Sequence, residues 1–147
     1  MREIEFRGLV ADEPNTWVYG YLMPDNHIYQ TVEPKKGCCE IKTFSVVPES
    51  IGQYTGCRDV NGIKTFENDI VKETYGSRFY QVIYDTHGFV LNPIFIDSHF
   101  YQSWINPKRL EVIGNSYMKG EEKNGRKQEQ KTSNVFKRFY EYLRRLL

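Results

Sequence analysis

Apolar and polar residues alternate from the start of the chain. Ile4 and Phe6 fall on one face of an extended segment, and Glu3, Glu5 and Arg7 on the other. This two-residue period predicts a half-buried strand over residues 2–10. The turn cluster Asp12-Glu13-Pro14-Asn15 separates it from an apolar run at 17–22, and Pro24-Asp25-Asn26 separates that run from a third at 27–32. Pro34-Lys35-Lys36-Gly37 reads as a loop, and residues 41–47 as a β-rich run ending at Pro48. Shorter strands are expected at 53–55, 63–66, 70–73, 79–84, 89–91 and 110–115, each bounded by Gly, Asn, Asp or Ser. Asn61-Gly62 reads as a two-residue hairpin loop in a type I′ turn, which needs positive φ at both positions. Glu67-Asn68-Asp69 breaks the pattern before the strand at 70–73, and residues 100–105 read as one helical turn.

The period changes near the C-terminus. Residues 119–131 are polar, with nothing to build a core, and read as a linker. In residues 132–147, Val135, Phe136, Phe139, Tyr140, Leu143, Leu146 and Leu147 recur at helical spacing, with Lys137, Arg138, Glu141, Arg144 and Arg145 opposite. Ser133 or Asn134 would cap this basic amphipathic helix. An isolated helix of that length is marginal in water, so its apolar stripe needs a cover. Turn signals roughly every 8–12 residues before it predict a mainly β protein. The expected architecture is a single antiparallel domain over 1–118, barrel-like or a pseudo-barrel, then the linker and the helix.

Composition adds three constraints. Of 147 residues, 11 are Tyr and 9 are Phe, so core or binding surface leans on rings. Residues 1–118 carry 11 Lys/Arg against 15 Asp/Glu, a net −4, and residues 119–147 carry 9 against 4, a net +5. A mildly acidic domain with a basic tail bears on partners rather than on fold. The three cysteines, Cys38, Cys39 and Cys57, include an adjacent pair and do not read as a disulfide framework. No signal peptide or membrane span is expected, which points to the cytoplasm of the host cell.

Four ordered blocks carry a family resemblance: Met1-Arg2-Glu3-Ile4-Glu5-Phe6-Arg7-Gly8; Trp17-Val18-Tyr19-Gly20-Tyr21; Pro48 through Gly62 leading into Phe66-Glu67-Asn68-Asp69-Ile70-Val71; and Val112-Ile113-Gly114-Asn115-Ser116-Tyr117. The chain resembles the YopX family, small proteins of unknown function encoded mainly by phages and prophages. The resemblance covers residues 1–117 and implies a mainly β fold, an oligomer and a phage context. It brings no catalytic residues. Where the family more often has Gly, this chain has Asn68, which also tolerates a left-handed conformation.

Candidate chemistry is sparse. The possible metal ligands His27, His87, His99, Cys38, Cys39 and Cys57 lack the spacing of a zinc site, so no metal and no cofactor is expected. Cys57, between Gly56 and Arg58, would need a base brought near by folding. Asp59, Glu67 and Asp69 suit turns that accept backbone N–H groups. Turn geometry does not require Gln53, Tyr54 and Arg58. The candidate binding residues are therefore Gln53, Tyr54, Arg58, Asp59, Glu67 and Asp69, with no catalytic set. Phe136, Phe139, Tyr140, Leu143 and Leu146 form a candidate tail interface. The leading expectation is a non-enzymatic accessory protein acting by binding or homo-oligomeric assembly, with a host or phage protein as a further partner. A nucleic-acid-binding module is the second reading, suggested by Lys72, Tyr75, Arg78, Phe79, Tyr80 and Tyr84. The third is an enzyme using the Cys57/Asp59 or Glu67/Asp69 region.

Overall fold

The structure is a computed structural model that describes residues 1–76, 78–94, 102–103 and 106–117. It is mainly β, with eleven strands among the described residues: β1 (Phe6–Leu9), β2 (Trp17–Met23), β3 (His27–Lys35), β4 (Cys38–Ser45), β5 (Gly52–Arg58), β6 (Lys64–Phe66), β7 (Asp69–Glu73), β8 (Phe79–Asp85), β9 (Gly88–Ile94), β10 (Gln102–Ser103) and β11 (Leu110–Asn115). They form two antiparallel sheets, in the orders β4-β3-β2-β1-β5-β6 and β10-β9-β8-β7-β11. The expected barrel does not close among the described residues. β4 ends the first sheet on one side and β6 on the other, and no ladder joins them to the second sheet.

Each sheet has its own apolar cluster. Val10, Val18, Ile28 and Val46 form one, with Phe6, Phe44 and Ile51 packed against it. Val71, Tyr80, Val82, Leu91 and Leu110 form the other, with Phe89 and Val112. Burying such side chains stabilises by about 1.5–3 kcal/mol each. Backbone bonds tie the sheets where they meet. Asn68 N–H donates to Val82 O at 2.8 Å, Ser116 N–H to Asn68 O at 3.0 Å, and Val60 N–H to Leu110 O at 2.9 Å.

Four sequence expectations change in detail. β1 is covered on both faces: Phe6 packs on the first cluster and Arg7 is buried opposite, while Ile4 is exposed. The β3–β4 hairpin is longer than expected, because β3 runs through Pro34 to Lys35 and absorbs it with a register shift between Val32 and Lys35. At Asn61-Gly62 only Gly62 has positive φ, at +79°. Asp59 N–H bonds Ile63 O and Gly62 N–H bonds Asp59 O, giving a three-residue loop closed by a left-handed glycine instead of a type I′ turn. Within the expected helical turn at 100–105, Gln102 and Ser103 are extended and pair with Leu91 and Val90. Asn68 does take the left-handed conformation expected of it, at φ 69°. The linker at 119–131 and the helix at 132–147 lie outside the described residues.

Candidate functional site

Successive side chains of a strand point to opposite faces. Gly8 meets Val46 so closely that an added Cβ would lie 2.9 Å from the valine Cβ. The side chain of the preceding residue, Arg7, is thereby turned toward the second sheet. Its Nη2 lies 2.7 Å from Asp69 Oδ1 on β7 and donates to Glu67 O at 3.1 Å. The guanidinium carbon sits 4.9 Å from the ring centres of both Trp17 and Phe66, within cation–π range of each. Asp69 accepts the Phe66 N–H at 2.8 Å through its other oxygen. Asp69 Oδ1 is held by this ion pair, and the buried Arg7 Nε has no hydrogen-bond partner among the described residues. Burial lifts the Asp69 carboxyl from its ordinary 3.8 to about 6, against the opposing pull of Arg7.

This pair forms the floor of a cleft of about 320 Å³, lined by Glu5, Tyr19, Lys64 and Phe66 besides the pair itself. Lys64 Nζ bridges Glu3 Oε1 and Glu5 Oε2, each at 2.7 Å, and these bonds raise its pKa. Burial raises the Tyr19 hydroxyl and the Glu67 carboxyl. A second, open cleft of about 460 Å³ between the sheets is lined by Arg2, Thr55, Cys57, Tyr84, His87 and Phe89. Folding therefore brings a histidine to the same cleft as Cys57. Arg2 lies 5.7 Å above the Phe89 ring, and Tyr84 meets that ring edge-on at 5.0 Å.

The six residues singled out from the sequence do not converge on one cleft. Arg58 is exposed and clips its own hairpin, donating to Gly62 O at 2.8 Å. Asp59 is buried; Oδ1 accepts the Asn61 and Ile63 N–H groups, and Oδ2 accepts Val112 N–H at 2.9 Å from β11. Tyr54 is buried against Phe66 at 5.5 Å, beneath Lys64. Gln53 pairs with Phe6, and its carbonyl receives Glu67 N–H. Only Asp69 lines the floor of the cleft, and its partner Arg7 was not singled out. The period-two pattern assigns Arg7 to a polar face, and no local signal shows that a second sheet covers that face. The tail residues Phe136, Phe139, Tyr140, Leu143 and Leu146 lie outside the described residues. Among the described residues no three His, Cys, Asp or Glu side chains gather to hold a metal ion.

A third feature is the β4 edge, which no strand covers among the described residues. Seven of the eight β4 residues are exposed, and the eighth, Phe44, is half-buried. The outer part of β3 is also largely exposed, so this end of the hairpin projects as an arm. Tyr21, Leu22, Met23 and Ile41 add exposed apolar area beside it. No described helix is long and apolar enough to cross a membrane. No protein of curated function matches the chain. The YopX protein family model matches residues 5–121, and with most of its length in that match the chain belongs to the YopX family.

Proposed function

We propose that the protein is a phage- or prophage-encoded accessory protein that works by binding, through assembly of identical copies, rather than by catalysis. The observation that carries this is the β4 edge: exposed at seven of its eight residues and, among the described residues, without a neighbouring strand on its outer side as far as Thr43. A long open edge presents unpaired backbone donors and acceptors and is a template for another strand. The candidate acids support the reading, since Asp59 and Asp69 are spent on backbone and arginine contacts that hold the fold. The tail stripe at Phe136, Phe139, Tyr140, Leu143 and Leu146 belongs, on this reading, to a second contact within the assembly. The setting is the host cytoplasm, with a host or phage protein as the eventual partner. Molar mass by light scattering across a dilution series tests it. A multiple of the chain mass that falls on dilution is expected, and a monomer at every concentration would overturn it.

One observation favours nucleic-acid binding as the second reading. Tyr84 is exposed beside Phe89 and Arg2, an aromatic pair under a cation of the kind that can stack a base and meet a phosphate. Salt-sensitive retention of a single-stranded oligonucleotide, lost in Tyr84→Ala, would support it. No retention at low salt would remove it.

A further inference from the structure

We infer that β4 pairs with β4 of a second copy about a two-fold axis at Ile41, in a register fixed by Glu40 and Lys42. The inference rests on the assembly reading and names the contact. Antiparallel partners alternate between residues that exchange backbone hydrogen bonds and residues that do not. Val46 N–H donates to Asn26 O at 3.0 Å, so the pair 26/46 is of the bonded kind. The β3–β4 register then makes Ile28/Phe44, Gln30/Lys42 and Val32/Glu40 bonded pairs. The backbone groups of Thr43 and Ile41 therefore point away from β3, toward the open edge. Ser45 follows the same alternation, and its carbonyl is already taken by Ala11 N–H at 2.9 Å on the outer side. That contact ends the open edge just after Thr43.

A two-fold antiparallel pairing must match outward groups with outward groups. Centred on Ile41, it sets Ile41 against Ile41 of the second copy as a bonded pair. Glu40 then lies opposite Lys42, and Lys42 opposite Glu40, in the neighbouring non-bonded positions where side chains come closest. Centring one residue earlier would oppose Glu40 to Glu40, and one residue later Lys42 to Lys42. Like charges directly opposite are unfavourable. Ile41 also sits near the middle of β4, so this centre gives long overlap and covers a side chain that is 68% exposed. Charges on an edge strand ordinarily discourage pairing. Here their order around Ile41 discourages every neighbouring register and leaves this one.

Cysteine cross-linking of the full chain tests the register, in a Cys38→Ser/Cys39→Ser background so that only the introduced thiol lies on the arm. Ile41→Cys should place two thiols on Cα atoms about 5.5 Å apart, inside the range that a disulfide spans. Glu40→Cys would place them roughly 8 Å apart across the axis, given about 3.4 Å per residue along each strand, which is too far to bridge. Tyr75→Cys, fully exposed on another turn, controls for random collision. The expected result is rapid oxidation to a disulfide dimer for Ile41→Cys alone, at least tenfold faster than for the other two. Assembly by light scattering without preferential Ile41→Cys cross-linking would overturn the register and leave the assembly reading standing. A monomer in every variant and in the unmutated chain would overturn both.

Discussion

Arg7 Nη2 lies 2.7 Å from Asp69 Oδ1, joining the first sheet to the second where both side chains are buried. Breaking a buried pair costs more than the pair contributes, because the remaining charge is stranded. Arg7→Met should destabilise the fold by about 3–5 kcal/mol in urea unfolding. Arg7→Met combined with Asp69→Asn should recover a large part of that loss, since the amide leaves no charge unpaired and keeps an acceptor for the Phe66 N–H. A double variant as unstable as the sum of the singles would show that the two residues act independently.

The same carboxyl gives stability a pH signature. In the folded chain Asp69 titrates near 6 against an ordinary 3.8, so between those values the folded state holds the proton more firmly than the unfolded state. Its contribution favours folding most below pH ~4 and is lost as pH rises through about 6, by roughly 3 kcal/mol at ~1.4 kcal/mol per unit. Half-buried Glu67, also raised by burial, acts in the same direction. Asp69→Asn should flatten the fall in the urea midpoint between pH 4 and 6. An unchanged slope would assign the effect to another group.

At the β5–β6 loop, the carboxylate and the glycine carry the geometry and the asparagine side chain does not. Asp59→Ala removes acceptors from three N–H groups, one of them on β11, and should cost about 3 kcal/mol. Gly62→Ala, at φ +79°, should cost about 1 kcal/mol. Asn61→Ala should change stability by less than about 0.5 kcal/mol. Denaturant midpoints of the three variants give the order directly, and an Asn61→Ala loss as large as that of Asp59→Ala would refute it.

At Gly20 the β2 backbone lies against Tyr29 of β3, and an added Cβ would fall 2.2 Å from the Tyr29 carbonyl oxygen. Gly20→Ala must push the root of the β3–β4 arm away from its sheet, at a cost of about 1–3 kcal/mol. It should also weaken assembly in a dilution series, because β4 hangs on β3. Lost stability with unchanged assembly would show that the arm is positioned from elsewhere.

Much of the fold is legible in the sequence, because its strands are short, alternate cleanly and end in Gly, Asn, Asp or Pro. The same local signals mislead where a distant contact decides. Arg7 belongs to the polar face of β1 by period, yet the second sheet buries that face, and Asp69 reads as a turn residue until Arg7 is beside it. Barrel closure depends on pairing between distant strands, and nothing in the turn pattern distinguishes it from two open sheets. The arm is hidden for a similar reason. Pro34 and Gly37 mark a loop, whereas a register shift lets β3 carry the proline and continue. What the sequence does hold openly is the order Glu40-Ile41-Lys42, whose symmetry acquires meaning only once β4 is known to be an edge.

Molar mass by light scattering of a charge-swap series tests the central claim, assembly through β4. Glu40→Lys alone, or Lys42→Glu alone, sets like charges opposite each other across the axis, and each should weaken the assembly toward monomer at matched concentration. The double exchange Glu40→Lys/Lys42→Glu restores opposite signs and should restore the mass of the unmutated chain. Equal masses for all four proteins, or a double variant weaker than either single, would contradict the account.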